Sequence, residues 1–148
     1  IHRLIKGKTL FLGGIKIPLH SGLKGHSDGD VIIHSIIDSL LGAMRKKDIG
    51  TFFPDNKKKF KNIRSPKMLK PIVDILNNND FYINNLDINL ICEQPKVSMH
   101  RNKIISSLSN LLNIDKELIN LKGKTVEKLG LIGKEKAIAC EVICSIAQ

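Results

Sequence analysis

Tryptophan is absent and tyrosine occurs once, leaving aromatic residues at 4% of the 148-residue chain. Readers of single-stranded nucleic acid stack bases on aromatic side chains, so that function class has little to build on here. The three cysteines, Cys92, Cys140 and Cys144, are an odd number with no Cys-x-x-Cys pair. They suggest neither a disulfide framework nor a thiolate zinc site, and they agree with a reducing compartment. No uninterrupted apolar run approaches the roughly 20 residues of a membrane helix. Arginine is scarce among the cations, 4 against 20 lysines, beside 23 Ile and 12 Asn, a bias that fits an AT-rich genome. The net charge of +10 attracts phosphates, nucleic acids and acidic membranes alike and does not choose among them. With 42% apolar and 26% charged residues, the composition is globular and the length suits one domain.

The first 17 residues alternate short apolar runs around Gly13-Gly14, the signal for a tight hairpin between strands at 9–12 and 15–17. Pro18 ends the second strand, and a polar, glycine-rich loop runs on through Gly22, Gly25 and His26-Ser27-Asp28-Gly29-Asp30. From Val31, the residues Ile33, Ile36, Ile37, Leu40, Leu41 and Met44 recur at three and four, the stripe of a core-facing helix capped by Asp30. Residues 47–64 keep no period and are expected to form a mobile lid. Ser65-Pro66 supplies an N-cap and a first-turn proline for a second helix, with Met68, Leu69, Ile72, Val73 and Leu76 buried and Asn77-Asn78-Asn79 as its stop. A strand over 81–91, a helix over 98–112 and a last strand over 138–146 complete an alternation of β and α without internal repeats. No signal or transit peptide precedes Ile1 in the chain as read, and processing removes such segments.

His26-Ser27-Asp28-Gly29-Asp30 stands directly before a helix, where free N–H groups and the helix dipole favour an anion such as phosphate; a plain capped turn explains the same residues. His34 and Asp38 lie four apart on that helix and share a face. With His2 or His26 as partner, His34 could complete an open zinc site, with Asp38 as a hydrogen-bond partner behind the ligands; a packed imidazole is the competing reading. The segment from Lys122 through Thr125 and Glu127 to Gly130 can hold a diphosphate while Glu127 takes a hard divalent cation, or it is an exposed turn. Glu93-Gln94-Pro95-Lys96 is similarly ambiguous, since its proline can simply end a strand.

Taken in order, Ile1-His2-Arg3-Leu4, the Gly13-Gly14 hairpin, His26 to Val31 with His34, Asp38 to Gly42, Asp48-Ile49-Gly50 with Phe53-Pro54-Asp55, Asn85-Leu86-Asp87, Gln94-Pro95-Lys96, Thr125 to Gly130 and Ile138 to Glu141 resemble the 2-C-methyl-D-erythritol 2,4-cyclodiphosphate synthase family over nearly the whole chain. The resemblance implies an α/β (α+β) fold, with one domain over residues 1–148 and a mixed β-sheet covered by helices on one face. It also implies a ferredoxin-like or chorismate-mutase-like homotrimer, its sheets facing the threefold axis and its active sites between subunits. The implied reaction is an intramolecular phosphoryl transfer. It turns 4-diphosphocytidyl-2-C-methyl-D-erythritol 2-phosphate, a small-molecule cytidine diphosphate, into the cyclic diphosphate with release of CMP.

By the same resemblance, His2 and His34 are zinc ligands together with an Asp expected immediately before Ile1, so that the chain is expected to start within its first strand. Mg2+ or Mn2+ on Glu127 would bridge the diphosphate, and His26 and Thr125 would be the catalytic stabilisers. Substrate contacts are implied for Ser27, Asp48, Ile49, Gly50, Phe53, Pro54, Asp55, Asn56, Lys57, Lys124, Val126, Leu131 and Lys134. Cytidine contacts are implied for Cys92, Glu93, Gln94, Pro95, Lys96, Val97, Ser98 and Gly123. Lys134 with Glu141 is a candidate for an isoprenoid diphosphate on the trimer axis, although lysine lacks the bidentate fork of the arginine usual in the family.

Lys124 and Val126 flank Thr125 where the family has a run of threonines, exchanging a hydroxyl contact for a lysine; Val97-Ser98-Met99-His100 is also more polar than the family version. A metal-dependent phosphohydrolase would share the imidazoles and carboxylates but deliver the phosphoryl group to water. A non-enzymatic basic ligand-binding module would rest on the charge alone. The favoured expectation includes no nucleic-acid or membrane partner and a bacterial cytoplasmic location, the alternative being a plastid-type organelle after loss of a transit peptide.

Overall fold

Both glycines of the Gly13-Gly14 turn take positive φ, 61° and 85°, and join β2 (Leu10–Leu12) to β3 (Ile15–Ile17) as an antiparallel pair in the computed structural model, which describes residues 1–148. A two-residue hairpin turn needs that left-handed backbone, which only glycine adopts without strain. Asp30 holds the turn from below: its carboxylate accepts from Gly13 N–H at 3.0 Å and Gly14 N–H at 2.6 Å while also capping α1 (Val31–Ala43) through Ile32 and Ile33 N–H. One buried carboxylate thus ties the hairpin to the start of the central helix.

A second, five-stranded sheet runs in the order β4-β1-β7-β5-β6, with β1 at His2–Lys6, β4 at Ser21–Leu23, β5 at Tyr82–Ile91, β6 at Ile119–Lys124 and β7 at Ala137–Ala147. β5 and β6 are parallel and the other pairings antiparallel, so the sheet is mixed as expected. Along β5, Leu86, Ile88 and Leu90 are buried while Asp87 and Asn89 between them are half-buried, the period of two that gives a sheet one core face and one open face. α1, α3 (Ser65–Asn78) and α4 (Arg101–Leu112) cover the core face, and each contributes its three-and-four apolar stripe. The open face carries Glu141, Ile143 and Ser145 of β7 opposite Asn89, Asp87 and Asn85 of β5, with Ile143 73% exposed. No helix is long and apolar enough to cross a membrane.

The structure departs from the sequence reading at five places. The expected loop after Pro18 contains β4, a three-residue strand held by pairing with β1. β6, which the sequence reading did not register, lies parallel to β5, a long-range pairing without local signature. The 47–64 segment is not wholly irregular, since α2 (Ile49–Phe52) and a 3₁₀ turn at Lys58–Phe60 form inside it. Ser65 is the first residue of α3 rather than its cap; Arg64 occupies the cap position, and the Ser65 hydroxyl donates to Asp28 instead. Asp38 does not back the imidazoles either: its carboxylate accepts from Ile49 N–H at 2.8 Å and anchors α2.

Candidate functional site

β1 and α1 bring His2 and His34 together, with His2 Nε2 3.0 Å from His34 Nδ1 and the rings edge to face. Burial lowers both imidazoles from their ordinary value, His34 to about 4 with repulsion from His2 as the next cause, so both are neutral near pH 7 and offer lone pairs. Two neutral imidazoles on a tetrahedral zinc, at roughly 2.0–2.1 Å each, need their nitrogens about 3.3 Å apart, and 3.0 Å is within a small side-chain adjustment of that. The donor set fits zinc as two ligands. No group of three His, Cys, Asp or Glu side chains gathers anywhere in the chain, so these residues alone do not complete a zinc site.

The pair opens onto a cleft of about 940 Å³. His26, Ser27, Ile49, Gly50, Phe53, Pro54, Asp55 and Asn56 line it. Lys24 and Lys61 also line it, two cations that the sequence reading did not single out. Asp48 and Lys57 stand just outside the wall. The Asp48 carboxylate caps α2 by accepting from Thr51 N–H and hydroxyl at 2.8 and 2.9 Å, and Lys57 N–H donates to Pro54 C=O at 3.1 Å. Those hydrogen bonds hold the Asp48 carboxyl below its usual range.

The remaining site residues form a second group at the far edge of the sheet. The loop after β5 folds back on β6: Cys92 N–H donates to Lys124 C=O at 2.9 Å, and Val97 packs directly on Gly123. A Cβ at Gly123 would fall 2.7 Å from Val97 Cβ, so only glycine admits this closure. Cys92 is buried, with its thiol donating to Pro95 C=O and its pKa pushed up to about 11 by desolvation, which makes it a packing residue and not a nucleophile. Glu93 braces the turn that follows β6, its Oε1 accepting from Val126 N–H at 3.1 Å and Lys128 N–H at 3.3 Å. Glu127 and Lys128 take positive φ, 52° and 62°, and with Thr125 are exposed. Glu127 is there a single free carboxylate. Leu131 lies on the short exposed helix α5 (Gly130–Gly133), 63% exposed, and Lys134 caps the end of that helix.

Register fixes the relation between the groups. His2 pairs with Ile138, Ile91 with Ala139, and Ile91 with Lys124, so both groups sit at the same end of the sheet. Three strand spacings separate β1 from β6, about 14 Å across the sheet at ~4.8 Å each. One phosphoryl group cannot touch the imidazole pair and Thr125 of the same chain.

A mixed sheet covered by helices is the architecture this chain shares with a solved 2-C-methyl-D-erythritol 2,4-cyclodiphosphate synthase described in a CDP-bound form, to which it aligns with a TM-score of 0.90 at 30% identity over 99% of this chain and 95% of that one. The chain belongs to the YgbB family, whose sequence model matches residues 1–147. It is 51% identical over 146 residues to the bifunctional enzyme IspD/IspF of Pelagibacter ubique, covering 99% of this chain and 39% of that protein. It thus spans well under half the length of the bifunctional relatives it matches. Against the 2-C-methyl-D-erythritol 2,4-cyclodiphosphate synthase of Caldicellulosiruptor bescii it is 39% identical over 148 residues, covering 100% of this chain and 94% of that one. Among solved structures, IspF of Plasmodium falciparum, described as a CDP complex, aligns with a TM-score of 0.85 at 43% identity over 98% of this chain and 88% of that one. The bifunctional IspDF of Campylobacter jejuni aligns with a TM-score of 0.93 at 36% identity over 98% of this chain and 39% of that one.

Proposed function

We propose that this domain converts 4-diphosphocytidyl-2-C-methyl-D-erythritol 2-phosphate to 2-C-methyl-D-erythritol 2,4-cyclodiphosphate and CMP. The observation that carries the reading is the pair of neutral, converging imidazoles, His2 and His34, opening onto the cleft that His26 and Ser27 line. Full-length likeness to synthases of that name, and to an IspF described in complex with CDP, supports it.

An oxygen of the 2-phosphate attacks the β-phosphorus, the bond from that phosphorus to the bridging oxygen breaks, and CMP leaves with the electron pair. No protein nucleophile and no water take part, so the task is to position groups whose negative charges repel. Zinc held by His2 and His34, and Mg2+ or Mn2+ held by Glu127, would supply Lewis-acid polarisation and charge neutralisation of the diphosphate. His26 and Ser27 donate to phosphate oxygens from one side and Thr125 and Lys124 from the other. Asp48, Ile49, Gly50 and the 53–57 stretch hold the methylerythritol part and exclude water, which suppresses hydrolysis. The Cys92–Ser98 loop with Gly123 receives the cytosine.

The 14 Å between the two residue groups supports a head-to-tail assembly, in which the imidazole side of one copy meets the β6 edge of the next and the rotation closes. A homotrimer with sites between subunits satisfies this. The open sheet face with Glu141 would then line the axis, where Lys134 and Glu141 would meet an isoprenoid diphosphate. Bacterial relatives support a bacterial cytoplasmic location.

Phosphorus NMR of the protein with substrate, zinc and magnesium tests the reaction. Coupled cyclic-diphosphate signals with CMP, lost on chelation, are expected; a free monophosphate product instead identifies a phosphohydrolase, and an unchanged substrate with intact trimer leaves a binding role. Light scattering at three chain masses checks the assembly.

A further inference from the structure

His34 is where three segments meet, and its two nitrogens face different partners. Nδ1 lies 3.0 Å from His2 Nε2, while Nε2 lies 3.0 Å from Ser65 Oγ and 3.0 Å from Ser27 Oγ. Ser65 Oγ has one proton, and it is committed: the hydroxyl donates to Asp28 Oδ1. An ionised carboxylate is a stronger acceptor than an imidazole nitrogen, so Ser65 turns a lone pair to His34 and Nε2 must be the donor.

Asp28 cannot turn away from this bond. Its Oδ2 accepts from Arg64 Nε at 2.8 Å and from Ser65 N–H at 3.1 Å, its Oδ1 from Asp30 N–H at 3.3 Å, and its side chain is only 4% exposed. Arg64 is itself fixed, with Nη2 donating to Gly14 C=O at 3.1 Å and the guanidinium stacked 3.8 Å from the centre of the Phe11 ring. A chain of contacts therefore runs from the hairpin through Arg64, Asp28 and Ser65 to the imidazole.

We infer that Ser65, held by Asp28 and Arg64, is a positioning residue that fixes the Nε2–H tautomer of His34 and keeps the Nδ1 lone pair turned toward His2, where a divalent cation takes its imidazole ligands. The identity of the cation rests on the functional reading above; the proton assignment does not. Ser27 gains a role from the same arrangement. With Nε2–H as the donor, the Ser27 proton is not needed by His34, and its hydroxyl is free to donate into the cleft toward a phosphate oxygen.

Two measurements on the same samples test this. Nitrogen-15 NMR of the metal-free protein reads which His34 nitrogen carries hydrogen: Nε2–H is expected in wild type and Ser65→Thr, and a tautomer mixture in Ser65→Ala. Competition with a fluorescent zinc chelator then reads affinity, with about a 10–100-fold loss expected in Ser65→Ala and recovery in Ser65→Thr. Asp28→Asn, which frees the Ser65 proton to turn to His34, is expected to act in the same direction and serves if Ser65→Ala does not fold. Nδ1–H in the wild type, or a folded Ser65→Ala with unchanged zinc affinity, overturns the inference. A wild type with the Nε2–H tautomer that neither binds zinc nor closes the ring overturns the functional reading instead and leaves the proton assignment standing.

Discussion

Replacing Asp30 by alanine sets two opposing effects against each other. The carboxylate is fully buried and accepts four backbone N–H groups: Gly13 at 3.0 Å, Gly14 at 2.6 Å, and Ile32 and Ile33 at 3.2 Å each. Loss of the helix cap costs about 1 kcal/mol, and stranding the two hairpin N–H groups costs ~1–3 kcal/mol each, so the hydrogen bonds account for roughly 3–7 kcal/mol. Against this, desolvation raises the Asp30 carboxyl to about 6, the N–H bonds countering it only in part. Holding the group ionised at neutral pH therefore costs about 3 kcal/mol, which alanine removes. The net loss near pH 7.5 is about 2 kcal/mol, the middle of a ~0–4 kcal/mol range.

The sign of the pH dependence follows from the raised value. The native protein binds a proton between about 4 and 6 that the unfolded chain does not, so the ionisation cost is full above pH 6 and fades as pH falls, with about half of it gone at pH 5. The wild type gains stability from this and the variant does not, so the gap between them widens to roughly 3.5 kcal/mol at pH 5. Urea unfolding followed by far-ultraviolet circular dichroism at both pH values measures it. A gap that narrows toward pH 5, or one below about 0.5 kcal/mol at both, refutes the reasoning.

Gly123→Ala puts a methyl group 2.7 Å from Val97 Cβ and should force the Cys92–Ser98 loop off β6, weakening CDP binding by about tenfold or more in calorimetry at a stability cost of ~1–3 kcal/mol. Glu93→Ala removes the acceptor for Val126 and Lys128 N–H; kcat should fall at least tenfold while the melting temperature moves little, because the turn is exposed. Zinc affinity should fall less from pH 8 to pH 6 than it would with two solvent-exposed imidazoles, since burial lowers both rings and holds His34 near 4, and chelator competition showing the full loss expected of two ordinary imidazoles contradicts this.

Local patterns made much of the fold legible. The Gly-Gly turn, the α1 stripe with its Asp30 cap and the strand at β5 all depend on neighbours within a few residues, and all appear where the sequence put them. β4 and β6 were missed because three residues including a glycine, or an Ile-Asn-Leu-Lys-Gly-Lys run, acquire strand geometry only from partners far along the chain. The site divides in the same way. The residues of the His26–Asp30 motif and His34 announced themselves, yet Asp28 stood out only as a member of an anion-binding or capping segment, and Ser65 only as a cap. Their true contacts span 31 to 37 residues, a distance over which composition and period carry no information. Lys24 and Lys61 were indistinguishable from the other lysines until the cleft existed.

The placement of the two residue groups three strands apart in the sheet has a genetic consequence. In the proposed ring, each chain owns one half of two different sites. A chain disabled at His34 and a chain disabled at Thr125 would each be inactive alone, yet a mixed ring would rebuild an intact site wherever the sound histidine side of one meets the sound turn of the other, at roughly a quarter of the interfaces for equal mixing. Two null alleles of this domain would therefore complement when expressed together, and two alleles damaged in the same group would not.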